Sequence, residues 1–182
     1  LVHFCCVYVQ FGCLVWIPSF LKESYALTVN RASTIAALIL LPGVFAAPIV
    51  GFLSDHYFAG RRKPLILLGM ALLAGSTLLL SFGVNIILAT GLLAVVGLMI
   101  IMPDILLAAY PSDILSRKLS ATGMGFLTTF TSIAGIITTP ISGMIVDVFQ
   151  SYGAVFLSFA IAALAGTIFT LFIREKRIHP NR

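Results

Sequence analysis

Charge is what this sequence has least of. Lys, Arg, Asp and Glu make up 9% of its 182 residues, while 60% are hydrophobic and the mean hydropathy is +1.12. About a quarter of a soluble domain is charged, so this chain cannot clothe a globule in water-compatible surface and reads as an integral membrane protein. Acids are scarcer than bases, six against eleven, giving a net charge of +5. That excess would suit nucleic acid, but the bases sit at loop ends between apolar runs, where positive charge fixes membrane orientation; nucleic acid is excluded as a partner. Cysteine is also rare. Cys5, Cys6 and Cys13 all lie in the first apolar run without metal-site spacing, and read as small packing residues. No metal and no cofactor is implied. The three histidines, His3, His56 and His179, fall at membrane edges, and neither Gly-x-Ser-x-Gly nor His-Glu-x-x-His occurs. A serine facing a histidine inside the bilayer is therefore not available, and the chain is not read as an enzyme. Nothing resembles a potassium-channel filter. The sequence begins at Leu1 inside an apolar run with no charged leader, which points to a chain whose start has been cut rather than to a signal peptide.

What is present is a series of apolar runs. A membrane helix needs about 20 apolar residues, and six runs qualify: 1–21, 32–54, 64–83, 86–109, 120–146 and 153–173. The fold class expected is all-α, with six transmembrane helices joined by short loops. Nine of the eleven bases fall in the second loop (Arg61, Arg62, Lys63), the fourth (Arg117, Lys118) and the tail (Arg174, Lys176, Arg177, Arg182); only Lys22 and Arg31 lie in odd-numbered loops. Alternate loops lie on opposite faces, so this partition suits six spans and predicts a cytoplasmic 55–63 loop and C-terminal tail. Pro48-Ile-Val-Gly51-Phe-Leu-Ser-Asp55 returns 92 residues later as Pro140-Ile-Ser-Gly143-Met-Ile-Val-Asp147. Three spans separate the copies, as a 3+3 inverted repeat requires, a common construction in secondary transporters.

Polarity is uneven among the spans. The third and sixth carry little beyond an occasional Ser or Thr and read as lipid-facing; the first carries Tyr8 and Gln10, the second is broken by Pro42-Gly43 and Pro48, the fourth carries Asp104, and the fifth carries several hydroxyls. Spans one, two, four and five are expected to surround something polar. Asp104, deep in the fourth span, costs roughly 2.5 to 3.5 kcal/mol if left ionised in the membrane centre, so it should meet a cavity or a partner. It is a candidate proton or cation relay or a substrate contact; the alternative is that it simply reaches interfacial water or Lys118. Gln10, flanked by Tyr8 and Phe11, could contact a solute or link two helices. Gly125, Thr128 or Thr129, Ser132, Gly135 and Thr139 recur at helical spacing as a small hydroxylated stripe, suited to close helix packing as well as to a cavity wall.

Gly51-Phe-Leu-Ser-Asp55 followed by Gly60-Arg61-Arg62-Lys63 resembles the inter-helix signature of the major facilitator superfamily, and the likeness covers the whole chain as the C-terminal six-helix half. Within that superfamily, Trp16-Ile-Pro-Ser-Phe-Leu-Lys-Glu23, Ser54 to Pro64 and Ala121-Thr-Gly-Met-Gly-Phe126 are similar to the organophosphate:phosphate antiporters, although anion:cation symporters share several of these positions. The resemblance implies an alternating-access carrier in a prokaryotic inner membrane, with an N-terminal six-helix half as partner, a small solute, and a coupling ion or proton. It implies that Gly51 allows close helix contact, and that Asp55, Gly60, Arg61 and Arg62 belong to a charge latch at the cytoplasmic side; Lys63 reads as a topology signal. Those antiporters hold phosphate with an arginine six residues before the Trp, where this chain has Gln10. An amide cannot supply that charged bidentate grip, so a less charged organic anion, a sugar or a polyol becomes equally suited. A non-transporting solute sensor of the same fold is the other function in view.

Overall fold

The computed structural model describes residues 1–57 and 62–173, and the side chains of a few helical residues within that range, Asp55 among them, lie outside the description. Among the described residues seven helices follow one another: α1 (Val2–Ser24), α2 (Val29–Val44), α3 (Ala46–Tyr57), α4 (Lys63–Ser81), α5 (Ile86–Ile114), α6 (Arg117–Phe149) and α7 (Tyr152–Leu171). Helices α2 and α3 are two parts of one span, so the described residues form six apolar spans long enough to cross a membrane.

Local chemistry sets the ends. Asn85 starts α5 by accepting the Leu88 N–H on its side-chain oxygen at 2.9 Å, and Ser151 does the same for Gly153 at 3.2 Å before α7. Gln150 ends α6 in the left-handed region, φ 48°. The break between α2 and α3 falls where Pro48, which has no N–H, leaves the Val44 carbonyl without its usual partner; the Phe45 N–H turns back to the Pro42 carbonyl at 3.2 Å. Buried threonines satisfy their own hydroxyls inside their helices, as Thr77 does on Leu73 O and Thr170 on Gly166 O.

The packing has two-fold character. Exchange α1 with α5, the α2/α3 span with α6, and α4 with α7, and the neighbours exchange too: α1 on α6 becomes α5 on α2, α4 on α5 becomes α7 on α1, and α1 on α2 becomes α5 on α6. Helices α4 and α7 pair on the axis. The two copies of the Pro-Ile-x-Gly-x-x-x-Asp segment lie in α3 and at the end of α6 and finish at opposite ends of the bundle. One leads to Lys63 beside the end of α7, the other to Gly153 beside Ser81 at the end of α4. The inverted repeat expected from sequence is therefore the symmetry of the fold.

The core fills with Phe20, Met70, Leu73, Leu93, Ile100, Phe156 and Phe159. Between membrane helices such contacts act through close packing, since lipid is as apolar as leucine. Gly43 shows how close: a Cβ there would collide with Ile101 and approach the Gly97 carbonyl at 3.2 Å, so glycine lets the broken span lie against α5.

At one end Tyr25 donates to Val84 O at 2.7 Å, tying the first loop to the third; partial burial raises the Tyr25 phenol above its ordinary value and keeps it a donor. The opposite end carries the bases. There Lys63 donates to Leu171 O at 2.7 Å and to Ile173 O at 2.9 Å, so it closes the C-terminus of α7. The last carbonyls of a helix lack partners within it. Lys63→Ala is expected to lower the stability of the full-length protein by about 1 kcal/mol, and Lys63→Arg to restore most of it, read by thermal unfolding in detergent.

Candidate functional site

Asp104 does not stand alone in α5. His3, in the first turn of α1, places Nε2 at 2.6 Å from Asp104 Oδ1, with the side chains 10% and 30% exposed. The partner is thus His3 rather than Lys118. Sequence reading assigned His3 to a membrane edge and missed the pair, because the two residues are 101 positions apart and nothing local says which helix lies opposite Asp104. The available signal was topological: a histidine beginning one span and an acid approaching the end of another belong to the same side of the bilayer. His3 Nδ1 is buried and has no hydrogen-bond partner among the described residues. One turn further along α1, the Cys6 thiol donates to Ile100 O at 3.5 Å.

The expected trio on α1 separates. Tyr8 turns into the bundle, its ring edge-on to Phe159 at 6.0 Å, and its carbonyl accepts from Thr138 Oγ1 at 3.2 Å. Gln10 lies about 160° around the helix from Tyr8 at 100° per residue. It is half-buried, and its amide makes no hydrogen bond to a described residue. Phe11 is 44% exposed and lies over Gly135 of α6. His3 is two turns, about 10 Å, from Gln10 along α1, so the His3–Asp104 pair and the Gln10 region are separate places on one helix.

Thr128, Ser132 and Thr139 are exposed along α6, and Thr128 and Ser132 bond back to Met124 O and Thr128 O of their own helix at 2.9 Å each. Packing within this chain thus uses Gly135, under Phe11, and leaves the hydroxyls of Thr128, Ser132 and Thr139 exposed. Phe11 over Gly135 and Trp16 near Gly143 bring its small-residue side to the open face of α1, where Phe11, Leu14 and Val15 are uncovered. Helix α6 also exposes Phe126, Ile133, Ile136, Met144 and Val148. A recess of about 260 Å³ at the start of α2, lined by Asn30, Arg31, Thr34 and Ile35, lies apart from all of these residues.

Of the latch residues, Arg62 caps α4 and donates to Leu106 O of α5 at 3.4 Å. Gly51 is exposed, and a Cβ there would meet nothing within 4 Å. Within this chain the close approach belongs to Gly43 instead. The Asp55 side chain, Gly60 and Arg61 lie outside the described residues.

The described residues thus present six apolar spans in a two-fold arrangement of three against three, with an uncovered α1/α6 face. The family model described as Major Facilitator Superfamily matches residues 1–182. The chain belongs to the Major Facilitator Superfamily. Similar members of known name include the probable sulfoacetate transporter SauU of Cupriavidus necator, 26% identical over 94% of this chain and 41% of its own length. The phosphoglycerate transporter protein of Salmonella typhimurium is 25% identical over 82% of this chain and 32% of its length, and the hexuronate transporter of Bacillus subtilis is 25% identical over 92% and 42%. This major facilitator chain thus spans well under half the length of the curated relatives it matches. The likeness to a phosphoglycerate transporter agrees in part with the organophosphate branch suggested by the motifs.

Proposed function

We propose that the protein is a secondary active transporter of a small organic anion, in which this chain is the C-terminal half and moves by alternating access against an N-terminal half. The observation that carries the proposal is the unpartnered Gln10 amide at the margin of an uncovered α1/α6 face in a major facilitator chain. A polar side chain halfway along a membrane helix needs a partner, and neither α5 nor α6 offers it one. Gln10, Phe11, Thr128, Ser132 and Thr139 would form this half of the solute site, with Tyr8 supporting α1 from behind. Gly51, Asp55, Gly60, Arg61 and Arg62 would form the latch, and the basic end would face the cytoplasm of a prokaryotic cell.

Solute class follows from the residue types. The solutes named for the three relatives, sulfoacetate, phosphoglycerate and hexuronate, each carry a carboxylate, and an amide N–H₂ donates readily to one oxygen of such a group. The full-length protein in proteoliposomes is expected to exchange at least one of sulfoacetate, 3-phosphoglycerate and glucuronate saturably in counterflow. Gln10→Ala should raise the half-saturation concentration about tenfold, the loss of one hydrogen bond to a charged group. Gln10→Arg should shift preference toward 3-phosphoglycerate, because a guanidinium matches phosphate geometry. Absence of exchange for all three solutes rejects the proposed class.

A further inference from the structure

Two hydroxyls of the α6 stripe have already given their protons away. Thr128 Oγ1 donates to Met124 O and Ser132 Oγ to Thr128 O, at 2.9 Å each, a back-bond common for hydroxyls within helices. What these exposed oxygens turn outward is lone pairs. Thr139 makes no hydrogen bond among the described residues and can act either way. An ionised carboxylate, sulfonate or phosphate is itself acceptor-only, so it gains nothing from Thr128 and Ser132 and is repelled by their oxygens. A solute hydroxyl is a donor and fits them. Hydrogen-bond polarity thus divides the uncovered face: the Gln10 amide N–H₂ offers donors, the stripe acceptors.

Positive charge stands apart from these groups. On α1, Lys22 lies in the last turn and His3 is engaged by Asp104; on α6, Arg117 and Lys118 begin the helix. Lys118 is ten residues before Thr128, about 15 Å along the axis. A group with two or three negative charges would be poorly balanced there, whereas one carboxylate can be met by the amide. Phe11 adds a third constraint. Its exposed ring lies 3.3 Å from where a Cβ on Gly135 would stand, with Ser132 and Thr139 about one turn to either side. The face of an aromatic ring carries partial negative charge, which attracts the C–H groups of a sugar ring and repels carboxylate oxygens.

We propose that the solute of this face is a sugar monoacid: a closed ring bearing several hydroxyls and a single carboxylate. Gln10 takes the carboxylate, Thr128 and Ser132 accept from ring hydroxyls, and Phe11 covers the C–H face of the ring. The assignment rests on the carrier reading and narrows its organic anion. Each feature removes a class of competitor. The acceptor stripe disfavours acids without hydroxyls, the distance of the bases disfavours phosphate esters, and Phe11 prefers a ring to an open chain.

The test uses the full-length protein in proteoliposomes, with labelled glucuronate, galacturonate, sulfoacetate and 3-phosphoglycerate exchanged in counterflow. The half-saturation concentration of at least one uronate is expected to lie about tenfold or more below those of sulfoacetate and 3-phosphoglycerate. Two unlabelled competitors separate the contacts: gluconate keeps the hydroxyls and the charge but has an open chain, and cyclohexanecarboxylate keeps the ring and the charge but has no hydroxyls. Each should compete about tenfold more weakly than the uronate, the loss of one or two neutral contacts. Phe11→Leu should bring the uronate-to-gluconate ratio close to one, and Thr128→Val/Ser132→Ala should do the same for the uronate-to-cyclohexanecarboxylate ratio. Ratios within one variant do not depend on how much of it folds. Preference for sulfoacetate or 3-phosphoglycerate over both uronates overturns the sugar-acid assignment and leaves the carrier reading standing; so does either variant that keeps the wild-type ratio. No exchange of any of the four rejects the carrier reading and the assignment with it.

Discussion

Gly43→Leu is expected to abolish the folded full-length protein at growth temperature, the largest effect of any single substitution considered. The added side chain would drive into Ile101 and toward the Gly97 carbonyl where the broken α2/α3 span lies against α5. Ile101 can rotate, but a backbone carbonyl cannot, so α2 must move away and lose its packing on α5. Overpacking of a filled core costs about 1 to 3 kcal/mol, and separating a whole helix interface adds to that, against a total stability of about 5 to 15 kcal/mol. The control lies eight residues on. Gly51→Leu meets nothing within 4 Å of its Cβ in this chain, and should leave thermal unfolding and yield within error while reducing solute counterflow severalfold, because the proposed latch closes over that face. Equal loss of yield in both variants would reject the distinction between a glycine that serves the fold and one that serves the gate.

Asp104→Ala is expected to have the second largest effect. It removes the Nε2 contact from His3, whose Nδ1 already has no partner among the described residues. Removing one member of a buried hydrogen-bonded pair costs about 1 to 3 kcal/mol through the group left behind. Partial exposure of Asp104 places this pair toward the lower end of that range. The double variant His3→Ala/Asp104→Ala should recover part of the loss, giving a coupling energy of about 1 to 2 kcal/mol in a thermodynamic cycle. A coupling of zero would mean that the 2.6 Å contact contributes nothing to holding α1 on α5.

The sequence by itself determined the class, the number of spans and the family. Each follows from short-range facts: a 20-residue apolar run has only a helix available to it in lipid, the bases at loop ends obey alternation, and the Gly51 to Lys63 loop and the repeated Pro-Ile-x-Gly-x-x-x-Asp segment are contiguous in the chain. It also marked the polar residues that need explaining, Gln10 and Asp104 above all. Only the tertiary structure decided what those residues meet. His3 and Asp104 are 101 residues apart, and helical periodicity fixes which face a residue occupies but not which helix lies opposite. For the same reason Tyr8 and Gln10, neighbours in sequence, part to opposite sides of α1. In the stripe of α6, legible as small and polar, only the placed helices separate Gly135, covered by Phe11 of α1, from Thr128, Ser132 and Thr139, which stay exposed. Lys63 likewise reads from sequence as a charge beside a membrane, and becomes a helix cap only when α7 ends beside it, because a carbonyl that lacks a partner is a property of where two distant helices stop.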